Sequence, residues 1–429
     1  MHDKKMSVSL LDLSTLLVCI TAGLALVNAR FLRLPASIGV TVGGLLLSLV
    51  LLVLVTLDVP FALAIVDLVK GIQFDEFVFQ GVLSFLLFAG ALSVDSHALW
   101  TLRTPVLAFA LLSTLLSIAL VGGVLYALLP VFGLGLPLVS CLLFGALISP
   151  TDPVAVLGML KQARVPKRIE TLVAGESLLN DGVGVVAFAV LAGLTIIGGG
   201  HAGDHQAGTG AVAVLSLFAR EALGGLLLGG LLGLAGYLAL RTIQDFVVEV
   251  LLTLSIVLAC TAIAAHLGVS APLAAVAAGL LVGSLTERRP AALSSREKFD
   301  AFWHLTDELL NIFLFALLAL EVVVVPFGAA PLLIGVLTIP LLLLIRTISV
   351  QVPVWLLRRY AFPPYTRRLM VWGGLRGAIS VALAFTVPSG PTRDLFLVLT
   401  YVVVLFSIVA QGLTVGRLAT GAAASAKRD

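Results

Sequence analysis

The peptide Gly175-Glu176-Ser177-Leu178-Leu179-Asn180-Asp181-Gly182 places two carboxylates, a hydroxyl and an amide inside an apolar run. On a helix, Glu176 and Asn180 stand four apart on one face, and Ser177 and Asp181 four apart on an adjacent strip. A second polar peptide precedes it, Ser149-Pro150-Thr151-Asp152-Pro153. Its two prolines remove two backbone donors and break any helix that carries them. With Thr151 and Asp152, the two peptides offer carboxylate, hydroxyl and carbonyl oxygens. Hard monovalent cations take such ligands, whereas soft metals want thiolate or imidazole, and neither Cys nor His lies in these stretches.

Buried carboxylates must be paired, liganded or protonated. Two arginines fall within apolar sequence, Arg346 and Arg376. The expected pairing is Arg376 with Glu176, and Arg346 with Asp152 or another inward carboxylate. Asp181 is then left without a fixed countercharge. In a low-dielectric cavity such a group binds a proton or a metal cation but not both favourably, and that mutual exclusion is the physical basis of exchange.

The surroundings must be apolar for this chemistry, and they are. The 429 residues are 60% hydrophobic and 11% charged, with a mean hydropathy of +1.16; soluble chains carry about 25% charged residues. The chain reads as an all-α polytopic membrane protein. Apolar runs recur near 8–28, 36–56, 76–94, 104–131, 136–160, 168–198, 214–240, 245–267, 270–285, 302–325, 330–358, 367–388 and 393–417, which makes about thirteen spans. The stretch 57–75 reads as a re-entrant or interfacial piece around 61–69. Nucleic-acid binding has no support, because no basic cluster is interleaved with aromatics.

Charge supports this count. With the N-terminus outside, one side holds Arg30, Arg33, Arg103, Lys161, Arg164, Lys167, Arg168, Arg241, Arg288, Arg289, Arg296, Lys298, Arg358, Arg359, Arg367, Arg368 and the tail residues Arg417, Lys427 and Arg428. The other side holds Lys4, Lys5, Lys70, Arg220 and Arg393. That asymmetry places the C-terminus in the cytoplasm. Residues 1–6 precede an apolar run with no small-residue cleavage site, so the run reads as the first span. Cys19, Cys141 and Cys260 are scattered and read as small buried hydrophobes. The Gly-rich stretch 198–210, with His201 and His205, reads as a flexible external loop rather than a metal site.

An odd span count suggests two six-helix halves and one extra helix. The second candidate break is Gly373-Gly374-Leu375-Arg376-Gly377. Each break falls in the penultimate span of its half, so the two peptides are expected to cross near the midplane as in an inverted-repeat transporter.

At these residues the chain resembles the monovalent cation:proton antiporter family, in its electroneutral NhaP and sodium/proton exchanger branch. The matching stretches are FLLFAGALSVD (85–95), GALISPTDPVAVLGML (145–160), GESLLNDGVGVV (175–186), FWHLTDELLNIFLFALLALE (302–321) and GGLRGAISVALA (373–384). The resemblance covers nearly the whole chain. It implies thirteen spans in two inverted six-helix repeats with crossed discontinuous helices, forming one transmembrane unit over 1–429. It also implies a moving transport bundle, including parts of 76–198 and 302–417, and a dimerisation bundle from the other helices. No soluble regulatory domain is expected.

The same resemblance implies electroneutral exchange of one sodium (or lithium) ion for one proton, with no cofactor, by a homodimer in the bacterial inner membrane. Asp181 is implied as the ion- and proton-binding carboxylate, and Asn180 as its neighbour in the Asn-Asp pair of the electroneutral branch. Thr151, Ser177 and Glu176 would complete the sodium pocket, with Asp152 acting directly or through water, and Arg376 would hold Glu176. Ala319 and Ala271 stand where the family often has glycine and read as altered packing sites. FAGAL around Ala89 lacks a glutamate seen in other variants.

Potassium in place of sodium is the nearest alternative, since the oxygens would be the same. An intramembrane aspartyl protease with Asp152 and Asp181 as a dyad lacks the Gly-x-Gly-Asp context, and no membrane histidine partners Ser149 or Ser177 for serine chemistry. A channel would have no need of broken helices carrying one unpaired acid.

Overall fold

The computed structural model describes residues 10–70, 74–198, 211–288, 293–360 and 362–426. The stretch 199–210, with His201 and His205, and the N-terminal lysines lie outside them. Among the described residues the chain is helical, and its one extended pairing is an isolated antiparallel bridge between Asp152 and Leu375.

The helices are α1 (Leu10–Val27), α2 (Ala36–Thr56), α3 (Pro60–Lys70), α4 (Phe74–Ser93), α5 (Arg103–Phe132), α6 (Leu138–Ile148), α7 (Val154–Gln162), α8 (Lys167–Gly198), α9 (Ala211–Leu240), α10 (Phe246–Leu267), α11 (Ala271–Arg288), α12 (Arg296–Glu321), α13 (Ala329–Leu356), α14 (Pro364–Trp372), α15 (Ala378–Thr386) and α16 (Pro391–Ser425). Counting α6/α7 and α14/α15 as broken spans and setting α3 aside gives thirteen passages. Nine helices among the described residues are continuous and apolar enough to cross a membrane by length and composition alone. Four of the thirteen fall outside that count: the two broken spans, whose halves have only 9 or 11 residues, and the more polar α11 and α12.

Local sequence sets the boundaries. Asp245 caps α10 by accepting from the N–H groups of Val247 and Val248 at 2.9 and 3.2 Å, and Gly268 ends it with a left-handed φ of 62°. Ser295 caps α12, so that helix begins six residues before its apolar run. The interfacial piece is α3, which packs on α2 and on the turn after α12. Cys141 and Cys260 are buried, but Cys19 is exposed on the outer side of α1.

Packing divides the helices into two groups. In one, α5 packs on α6, α6 on α8, and α13 on α5 and α16, with both broken spans enclosed. In the other, α11 packs on α9, α10 and α4, and α12 on α1, α2 and α4. Helix α8 touches both groups, through α6 on one side and α9 and α11 on the other. The polar peptide of α8 thus lies at the seam. Ala319 sits in the second group, where its carbonyl accepts from the Ser48 hydroxyl at 2.7 Å.

Candidate functional site

The two interruptions, around Pro150 and Pro153 and around the glycines of 373–377, meet each other. Asp152 N–H donates to the Leu375 carbonyl at 2.7 Å, so the chains cross antiparallel. Two glycines make room for the crossing. A methyl at Gly377 would stand 2.8 Å from Asp152 Cβ and Oδ2, and one at Gly374 would stand 2.8 Å from Arg346 Nε. Gly377→Ala is therefore expected to displace Asp152 and lower stability by about 1–3 kcal/mol. Thermal melting in detergent measures this, and an unshifted melt contradicts the packing.

Breaking two helices exposes four termini, and charged side chains meet all of them. Arg376 donates to the carbonyls of Ser149 and, at 3.1 Å, Pro150 at the end of α6. Arg346 donates to the Met370 carbonyl at the end of α14, from Nε at 3.3 Å and Nη2 at 3.1 Å. Asp152 Oδ1 accepts from Val154 N–H at 2.9 Å at the start of α7, and Asp152 also faces Gly377 at the start of α15. The second break is anchored from α16: Ser407 Oγ accepts from Arg376 N–H at 2.8 Å and donates to Gln411 Oε1 at 2.7 Å, while Gln411 Nε2 donates to the Trp372 carbonyl at 3.1 Å.

The structure brings Thr151, Glu176, Ser177 and Asn180 into one hydrogen-bonded group. Asn180 Nδ2 donates to Thr151 Oγ1 at 2.7 Å and Glu176 Oε1 at 3.2 Å, and its Oδ1 accepts from Thr151 N–H at 3.3 Å. Thr151 and Ser177 hydroxyls share a hydrogen bond of 3.1 Å. Asn180 is thereby a latch between α8 and the first break. Asp181 is buried, lies within electrostatic reach of Asp152 and Glu176, and its Oδ1 has no hydrogen-bond partner.

The arginine pairing differs from the expected one. Arg346, not Arg376, pairs with Glu176, through Nη1–Oε1 at 2.9 Å and Nη2–Oε2 at 3.1 Å, with both side chains almost fully buried. Arg346 does not pair with Asp152. The reason lies in the crossing: residue 376 stands on the second break itself, directly over the carbonyl end of α6, and those carbonyls take its guanidinium. Arg376 stays within electrostatic reach of Glu176 without bonding to it. Arg346 enters from α13 and forms the bidentate bridge, and both Glu176 oxygens are committed to it.

One further carboxylate belongs to this neighbourhood. Asp307 on α12, half-buried, lies within electrostatic reach of Asp152 and accepts from Asn311 Nδ2 at 3.1 Å. Its signal in the sequence is the acid–amide spacing of four that also marks Glu176 and Asn180.

A family model described as "Sodium/hydrogen exchanger, transmembrane" matches residues 14–421. The Na(+)/H(+) antiporter NhaP of Pseudomonas aeruginosa is 42% identical over 95% of this chain and 96% of its own length. The Na(+)/H(+) antiporter NhaH of Halobacillus dabanensis is 32% identical over 90% of this chain and 91% of its own. Among solved structures, the sodium proton antiporter MjNhaP1 from Methanocaldococcus jannaschii at pH 8 superposes with a TM-score of 0.72 at 19% identity, covering 96% of this chain and 99% of that one. The crossed discontinuous helices are thus an inverted-repeat antiporter fold, and the chain belongs to the sodium/hydrogen exchanger family.

Proposed function

We propose that this chain exchanges one sodium ion for one proton across a bilayer, with Asp181 holding either ligand but never both. The observation that carries the reading is a charge count. At formal charges, Asp152, Glu176 and Asp181, with Asp307 in reach of Asp152, face only Arg346 and Arg376, and Asp181 is the buried carboxylate among them that no arginine bonds. One proton or one monovalent cation satisfies Asp181, and the two compete for the same oxygens. The unpartnered Asp181 Oδ1 is where that ligand would sit.

In this reading the Thr151 and Ser177 hydroxyls supply further oxygens to sodium, and Asp152 contributes directly or through water. Glu176 acts through its bridge to Arg346 and its bond to Asn180 rather than as a ligand. Neutral Asn180 adds no second exchangeable charge beside Asp181, which makes the cycle electroneutral. Two copies would associate through the second group of helices, with the first group moving against it. The charge asymmetry of the connectors supports an outside N-terminus and a cytoplasmic C-terminus.

Purified protein in liposomes tests this. A proton gradient is expected to drive sodium uptake, and an imposed membrane potential is expected to change nothing. Because proton and cation compete, the apparent KM for sodium should rise as pH falls, approaching about tenfold per unit where the proton dominates. Potential-dependent uptake would overturn the one-for-one stoichiometry. Exchange of potassium alone, with lithium and sodium inert, would overturn the assigned cation.

A further inference from the structure

Glu321, the last residue of α12, is 2% exposed, and its Oε1 is buried without a hydrogen-bond partner. Within its electrostatic reach lie Asp75, in the first turn of α4, and the phenol of Tyr401 on α16. Tyr401 is fully buried and donates to the Leu318 carbonyl at 3.4 Å, one turn before Glu321. Helix α15 closes the group by packing on α12 and on the first turns of α4, where Phe385 meets Phe74 edge-on with ring centroids 5.6 Å apart. The same helices carry Ser84, Ser380 and Thr400, whose buried hydroxyls also lack partners.

No arginine or lysine pairs with Glu321 or Asp75 among the described side chains. Of the other charged groups on the elements around them, Arg393 is engaged with the Phe385 ring at 5.5 Å, Asp394 and Glu76 add only negative charge, and the side chains of Asp67 and Lys70 on α3 lie outside the described ones. The contrast with Glu176 is instructive, since that buried acid carries a bidentate arginine. Glu321, buried in apolar surroundings beside the half-buried Asp75 and without such a partner, calls for a proton or a cation. The group also bridges the two bundles, with Glu321 and Asp75 on one and Tyr401 and α15 on the other. It sits at the ends of α4 and α12 remote from the basic connectors.

We propose that Glu321, together with Asp75, is a second binding site for the transported monovalent cation, loaded from the outer face before the ion reaches Asp181. This rests on the exchange reading above.

The test is transport measured from each face of oriented proteoliposomes, with sodium as the probe. Glu321→Gln is expected to raise the KM for sodium at the outer face by about tenfold and to leave the inner-face KM within about twofold. In purified Asp181→Asn, sodium should still raise the melting temperature, and adding Glu321→Gln should remove that rise. An unchanged outer KM, an equal shift at both faces, or a sodium response that survives in the double variant would each overturn the proposal. Should Glu321→Gln fail to fold, Asp75→Asn carries the same sided measurement. If Asp181→Asn itself exchanges sodium, the exchange reading fails, and it does so independently of the sided result.

Discussion

Asp181→Asn is expected to reduce proton-driven sodium uptake by at least about 100-fold while leaving the protein folded. The substitution keeps the size of the side chain and removes the one charge that no arginine matches. With Asp181 neutral, its charged neighbours Glu176 and Asp152 are already engaged, by Arg346 and by the Val154 N–H. A cation entering it would then be an uncompensated buried charge, disfavoured by several kcal/mol, and each 1.4 kcal/mol is about tenfold in occupancy. The bonds among Thr151, Glu176, Ser177 and Asn180 do not involve the Asp181 side chain. The melting temperature should therefore hold or rise. Uptake assays beside a thermal melt measure both, and retained exchange would remove Asp181 from the centre of the mechanism.

The second large effect concerns stability. Arg346→Met leaves Glu176 buried opposite an apolar side chain, and breaking a dry pair by removing one partner costs about 3–5 kcal/mol. It also strips the Met370 carbonyl of its donor at the end of α14. Membrane yield and melting temperature should fall sharply. Adding Glu176→Gln removes the stranded charge and should restore much of the loss, because neutralising both partners avoids the buried ion. If the double variant melts no higher than Arg346→Met, the pair is not what makes the arginine necessary. Arg376→Met is a different experiment. It uncovers the carbonyls of Ser149 and Pro150, to which no side chain at 176 supplies a donor, so no change at Glu176 should restore that loss.

The parts of this molecule that were legible in the sequence are those marked by local chemistry. Two prolines within four residues at 150 and 153, and three glycines within five at 373–377, are dense enough to interrupt a helix, whereas the isolated Pro340 and Pro353 are carried inside α13, so both breaks could be placed before any helix was positioned. The spacing of four within 176–181 fixes which polar groups share a face. Pairing between distant elements left no such trace. Arg346 and Arg376 are both long, both buried and both consistent with Glu176 on the linear chain. The choice depends on the antiparallel crossing that puts residue 376 over the end of α6, a relation set by packing. Glu321 and Asp75 were equally silent, because a single acid at a span end looks like an ordinary interfacial residue until the opposite end of another span is brought beside it. Asp307 could have been found from its amide four residues on.

The crossing also dictates an order of assembly. A helix of 9 or 11 residues is marginal alone, since nucleation is costly and short segments gain too few bonds. The first interrupted span therefore leaves the ribosome without the groups that complete it. Its carbonyls at 149 and 150 and its N–H at 152 find partners only at Arg376 and Leu375, more than 220 residues later. Until the penultimate span inserts, those backbone groups need water or a chaperoning surface at membrane depth. The crossing is completed only by late elements, the penultimate span and the Ser407 and Gln411 anchors of α16. A chain stopped between residues 356 and 363 would carry α1 to α13 with the carbonyls of Ser149 and Pro150 and the Asp152 N–H still without these partners.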